Sequence, residues 1–112
     1  MVISRDYAVR VIAGVTNDSA LVERANAAVR RVLGPEAVVL ATGIPPGFSE
    51  DFGSFQDLVP GVMYFLGVND EAAGTVGMPH MPGYVADDRA IVVGAKAMSA
   101  VLLDWLAPIG GR

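Results

Sequence analysis

An α/β fold is predicted for this chain of 112 residues, and three observations predict it. Short β-branched or aromatic runs bounded by Gly and Pro alternate with longer stretches of helical periodicity. The order of these segments is strand, helix, strand, strand, helix, the pattern of a sheet flanked by helices. Hydrophobic residues make up 53% of the chain and charged residues 18%, so most elements are expected to be covered on more than one face.

The elements follow in order. Tyr7 to Gly14 sets β-branched or aromatic positions against Arg10 and reads as a strand. Asn17, Asp18 and Ser19 offer several possible N-caps. Leu21, Ala25, Ala28, Val29 and Val32 then recur at helical spacing until Gly34-Pro35 stops them. Ala37 to Ala41, "AVVLA", is an apolar run suited to an internal strand, and "TGIPPG" from Thr42 to Gly47 is a breaker-rich loop. "GFSEDFGSF" follows, with Glu50 and Asp51 inside a Gly, Ser and Phe bracket. Pro60 fixes the entry to a second internal strand, "GVMYFLG" from Gly61 to Gly67. The polar loop from Val68 to Pro79 is long for a purely structural connection, and such loops are often functional. Asp87 and Asp88 open a last helix. Its Ile91, Ala95, Met98, Leu102 and Trp105 form one stripe, and Pro108 and Gly110-Gly111 end it. No repeat or low-complexity segment interrupts this order.

Charge and composition exclude several classes of function. The net charge of -4 and the absence of any Lys/Arg cluster beyond Arg30-Arg31 argue against a nucleic-acid or anionic-membrane partner. With no cysteine there is neither a disulfide framework nor thiolate chemistry. Arg5, Asp6 and Arg10 stand where a signal peptide needs an uninterrupted apolar region, and Asn17-Asp18-Ser19 reads as a helix start rather than a glycosylation acceptor. These features fit a cytoplasmic protein. Lys96 and Asp104 interrupt the apolar stretch from Ala90 to Ala107, so a helix buried against a sheet is preferred to a membrane span.

The inventory of reactive groups is short. His80 is the one histidine and lies in "PHMPGY", between Pro79 and Pro82, which restrict its backbone. A lone histidine is more often structural or simply exposed than a ligand. Glu50 and Asp51 read equally well as a solvated turn or as the N-terminus of a short helix, where carboxylates meet the positive end of the dipole. HExxH, GxSxG and Gly-rich phosphate-loop motifs are all absent.

Taken together, six short motifs shift that balance. "ND" at 17-18, "SEDF" at 49-52, "VPG" at 59-61, "YFLG" at 64-67, "HMP" at 80-82 and "DDRAIVVGA" at 87-95 follow one another in a particular order and spacing. In both respects the chain resembles the C-terminal segment of a metallo-amidohydrolase family that includes hippurate hydrolases, N-acyl-amino-acid amidohydrolases, aminoacylases and glutamate carboxypeptidases. The resemblance implies that His80 is a ligand to one of two divalent metal ions, zinc or manganese, in a complete site. It implies that Ser49, Glu50 and Asp51 line or support the same cleft without being demonstrated ligands.

The resemblance also implies what this chain lacks. The family's remaining ligands and its water-activating glutamate come from Gly-His-x-x-His or Cys-Gly-His and Glu-Glu motifs, none of which is present here. Residues 1-14 would be the last strand of an inserted lid or dimerisation domain, and residues 15-112 the C-terminal part of the catalytic α/β domain. The expected function is that of a portion of a metal-dependent amidohydrolase acting on a small N-acyl amino acid or related amide. On its own the chain is expected to be inactive. Its expected partners are an N-terminal half, if the enzyme is split, and further copies of itself through uncovered apolar faces. The competing expectation is a stand-alone, non-catalytic α/β interaction domain derived from that fold.

Overall fold

The computed structural model describes residues 14-40, 50-75 and 77-107. Three α-helices stand among them: α1 (Ser19–Leu33), α2 (Phe52–Gln56) and α3 (Arg89–Leu106). Two single-turn 3-10 helices, Pro35–Ala37 and Glu71–Ala73, complete the regular structure. The chain divides into two compact units. One takes Met1–Glu23 and Leu40–Met63, the other Arg24–Val39 and Tyr64–Arg112, so the division falls within α1.

The predicted α/β sheet is not there: among the described residues there is no strand, and one isolated antiparallel bridge joins Asp70 to Thr75. The predicted strand Ala37 to Ala41 begins instead as the end of a 3-10 turn, and Val39 and Leu40 are 82% and 85% exposed. Ala41 lies outside the described residues, as do the loop Thr42 to Gly47 and all but Gly14 of the predicted strand Tyr7 to Gly14. Gly61 to Gly67 forms no strand among the described residues either. A strand exists only when a neighbour takes up its backbone N–H and C=O groups, and composition alone cannot supply that neighbour.

In the first unit, side-chain amides do the pairing that a strand would do. Asn17 accepts from the Met63 N–H at 2.8 Å and donates its Nδ2 to the Met63 carbonyl at 3.0 Å. Gln56 treats Thr16 in the same reciprocal way, accepting its N–H at 3.0 Å and donating to its carbonyl at 2.8 Å. The Gly61 carbonyl accepts from the Asp18 N–H at 3.2 Å and from Gln56 Nε2 at 3.0 Å. Of the three candidate caps, Asp18 is the one that starts α1: its Oδ1 accepts from the Leu21 N–H at 2.9 Å, while its carbonyl takes the first helical bond from Val22. Phe52 lies so close to Gly61 that a Cβ there would stand 2.9 Å from the ring.

The second unit is organised by small side chains. Among the described residues, Ala25, Ala28 and Val29 of α1 and Ala90 and Ala100 of α3 are the buried hydrophobic ones, and Ala28 is 1% exposed. Asp104 joins the two helices. Arg24 donates through Nε to its Oδ2 at 2.7 Å and through Nη2 to its carbonyl at 2.6 Å, and Arg31 pairs with its Oδ1. Arg24, Ala28 and Arg31 share one face of α1, as Ala97, Ala100 and Asp104 share one face of α3, which makes the seam an alanine contact flanked by charge. The Arg24 guanidinium also lies 4.5 Å from the Trp105 ring centroid.

α3 therefore corrects a second expectation. The helix forms where its periodicity and acidic start predict, but the stripe of Ile91, Ala95, Met98, Leu102 and Trp105 faces outward, with Ile91 69% exposed. The packed face runs through Ala90, Gly94, Ala97, Val101 and Asp104 instead. Small residues let a neighbour come close: a Cβ on Gly94 would stand 2.9 Å from Leu66 Cδ2. No helix among the described residues is long and apolar enough to cross a membrane.

Candidate functional site

His80 sits at the apex of a loop in the second unit whose neck is fixed at Val68 and Asp87, where the Asp87 N–H donates to the Val68 carbonyl at 2.8 Å. The descending arm is locally determined. Asp70 and Thr75 exchange both backbone hydrogen bonds at 3.0 Å. Asp70 Oδ1 also caps the intervening 3-10 turn by accepting from the Ala72 and Ala73 N–H groups at 3.0 and 3.3 Å. Gly74, with φ 76°, takes the left-handed position that closes this turn. Asn69 Nδ2 reaches forward to the Gly77 carbonyl at 3.2 Å and so ties the neck to the approach of the apex.

Two successive turns form the apex. The Met81 N–H donates to the Met78 carbonyl and the Tyr84 N–H to the Met81 carbonyl, both at 3.2 Å. Each turn has proline second, Pro79 then Pro82, and a left-handed residue third, His80 with φ 70° and Gly83 with φ 76°. Proline then a positive φ is the type II pattern, which ordinarily takes Gly or Asn in third place. Gly83 satisfies that rule and His80 departs from it. Histidine there costs about 1–2 kcal/mol of backbone strain that glycine would avoid. The side chain is exposed.

At the neck, Arg89 is held by two carboxylates. Its Nε donates to Asp87 Oδ1 and Oδ2 at 3.0 and 2.9 Å, and its Nη2 pairs with Asp87 and with Asp70 Oδ2. The Arg89 N–H donates to Asp87 Oδ1 at 2.8 Å, which makes Asp87 the side-chain cap of α3. Hydrogen bonds from Arg89 hold the carboxyls of Asp70 and Asp87 below the usual range and raise the guanidinium's own affinity for its proton. An open hollow of about 560 Å³ lies beside this cluster, lined by Asp70, Ala73, Thr75, Val85, Asp87 and Arg89 among others. Sequence reading passed over Arg89, because its pairing with Asp70 spans a loop whose path is not written in local spacing.

Glu50 and Asp51 stand in the first unit, at the start of α2. Asp51 donates its N–H to Glu50 Oε1 at 2.9 Å and accepts the Ser54 N–H on its carbonyl at 3.0 Å. This is the short helix start that their position allows. Ser49 lies outside the described residues.

One imidazole offers one donor, whereas a zinc site ordinarily takes four ligands. Among the described residues no three His, Cys, Asp or Glu side chains converge to hold a metal ion, so the described part of this chain does not by itself complete a metal centre.

No family model matches the chain, and no solved structure matches it. A stretch of 58 residues is 33% identical to IAA-amino acid hydrolase ILR1-like 6 of Arabidopsis thaliana. That stretch covers 52% of this chain and 12% of the Arabidopsis protein. The chain is thus similar to a small part of an amidohydrolase.

Proposed function

We propose that the chain is a C-terminal portion of a metal-dependent amidohydrolase that hydrolyses N-acyl amino acids or related amides, with His80 as one metal ligand of the complete enzyme. The observation that carries this reading is the 33% identity to a hydrolase of amino-acid conjugates over 58 residues. The strained apex accords with it: a histidine at φ 70°, where glycine would be relaxed, is the kind of position at which a side chain used beyond the turn would stand. Zinc or manganese is the expected metal, and Ser49, Glu50 and Asp51 are expected to support the cleft. The cysteine-free composition is in keeping with a cytoplasmic location. The competing reading, a stand-alone interaction domain, is supported by size alone, since 112 residues can bury a core, and the lack of a sheet among the described residues counts against the α/β form of both readings alike.

The test has two arms. The chain alone, supplied with zinc, manganese or cobalt, is expected to leave N-acyl amino acids intact, since water attack on an amide needs a metal-lowered water pKa and a positioned base. Joined to an N-terminal half carrying the histidine and paired-glutamate motifs, it is expected to gain a turnover that chelation abolishes and that His80→Ala lowers by several orders of magnitude. Full activity and full metal content in the joined His80→Ala protein would remove His80 from the site.

A further inference from the structure

We propose that Arg89 is the positioning residue of the His80 loop: by clamping Asp70 and Asp87 together at the neck, it fixes where the imidazole at the apex is held. The inference deepens the reading of His80 as a ligand, and it rests on geometry that does not involve a metal. Arg89 grips both arms. Asp87 lies on the returning arm and Asp70 on the descending one, and the guanidinium pairs with both. Each carboxylate is itself built into backbone. The Asp87 N–H closes the neck on Val68, and Asp70 both caps the 3-10 turn and pairs with Thr75. From Asp70 the restraint passes to its neighbour Asn69, whose side chain holds the Gly77 carbonyl one residue before the double turn. An Arg89 that let go would free both arms without removing any residue from the apex.

The Arg89 side chain is 72% exposed, and an exposed ion pair contributes little to global stability. Its effect is therefore expected in the local order of the loop, where a bidentate fork on one carboxylate and a further bond to a second gain direction as well as charge.

The experiment uses the whole chain without metal or substrate. Amide hydrogen exchange and the imidazole proton resonances of His80 are followed by NMR in the wild type, Arg89→Met, Arg89→Lys and Asp70→Asn. In Arg89→Met the amides of residues 70-84 are expected to exchange at least ~10-fold faster, and the His80 ring signals to move toward those of a free peptide, while the α3 amides beyond Gly94 stay protected. Arg89→Lys should recover only part of the protection, because an ammonium keeps the charge but lacks the planar fork that bonds Asp87 in a bidentate way while still reaching Asp70. Asp70→Asn should loosen the descending arm and leave the Asp87 cap intact. Raising salt to about 1 M should weaken loop protection in the wild type and leave it unchanged in Arg89→Met. Unchanged loop exchange and His80 signals in Arg89→Met would overturn the clamp and leave the amidohydrolase reading standing. An intact clamp alongside a failed reconstitution would do the reverse.

Discussion

At the scale of single residues, the second unit sets Asp104 between two arginines and one arginine, Arg89, between Asp70 and Asp87. The Asp104 side chain is 11% exposed, and the hydrogen bond from Arg24, joined by the one from Arg31, holds its carboxyl below the ordinary value of 3.8 against the burial that raises it. A carboxyl whose folded pKa is lowered favours folding in its ionised form. Its contribution is complete above the unfolded value and is lost as pH falls through the folded one. Asp70 and Asp87 are lowered too, so all three act in the same direction. Thermal stability followed by circular dichroism is expected to be flat from neutral pH to about pH 5 and to fall below about pH 4. Asp104→Asn should lower the midpoint at neutral pH and flatten the acid limb, because the amide keeps a hydrogen-bond acceptor and loses the charge. An acid limb identical to that of the wild type would show that Asp104 is not a source of it.

At the scale of elements, the two long helices were legible in the sequence, while the predicted sheet is absent among the described residues, for a physical reason. A helix closes its hydrogen bonds within itself, so the caps at Asp18 and Asp87 and the stop at Gly34, whose φ is 96°, are local signals that spacing reveals. A strand depends on a neighbour, and the β-rich composition of Gly61 to Gly67 could not reveal that Asn17 would answer Met63 with a side-chain amide. One feature of the helices escaped as well. α2 stands where a short helix after Glu50 and Asp51 was one of two readings, but the apolar periodicity of α3 marked the wrong face, because large side chains dominate a pattern while Ala90, Gly94 and Ala100 make the contact. His80 was legible as a proline-bracketed histidine, but its positive φ and the distant Arg89 clamp were not. Gly94 tests the packed face of α3. Alanine there would gain about 0.5–1 kcal/mol of helix propensity, and its Cβ would meet only the end of the half-exposed Leu66, which can turn aside. Gly94→Ala is expected to match or slightly exceed the wild type in thermal midpoint. Gly94→Leu is expected to cost about 1–3 kcal/mol by overpacking, since the larger side chain must displace Leu66 and cannot be absorbed by one rotamer change. Equal stability of the two variants would mean that Leu66 does not rest on this face.

At the scale of the molecule, the described residues bury little. The hydrophobic residues they bury are four alanines and one valine, and no large side chain among them is fully buried. On the outward side of α3, Ile91, Met98, Leu102, Leu103, Trp105 and Leu106 are all more than half exposed, and Arg24 lies over Trp105. Exposed apolar area of this extent is removed from water by association whenever a surface is available, at about 25 cal/mol for each Å² covered. The surface available to the isolated chain in solution is another copy of itself. Its mass by light scattering is therefore expected to exceed the 11.7 kDa of one chain and to rise with concentration rather than stop at a fixed number of copies. The net charge of -4 is too small to prevent this at ordinary salt. Replacing Leu102 and Leu103 by lysine should reduce the association and leave the helical signal intact, because both side chains stand away from the Ala90, Ala97 and Ala100 face that holds α3 in place. A wild-type chain that stayed at 11.7 kDa across a hundredfold range of concentration, about 10 μM to 1 mM, would show instead that this side of α3 is already covered within one molecule.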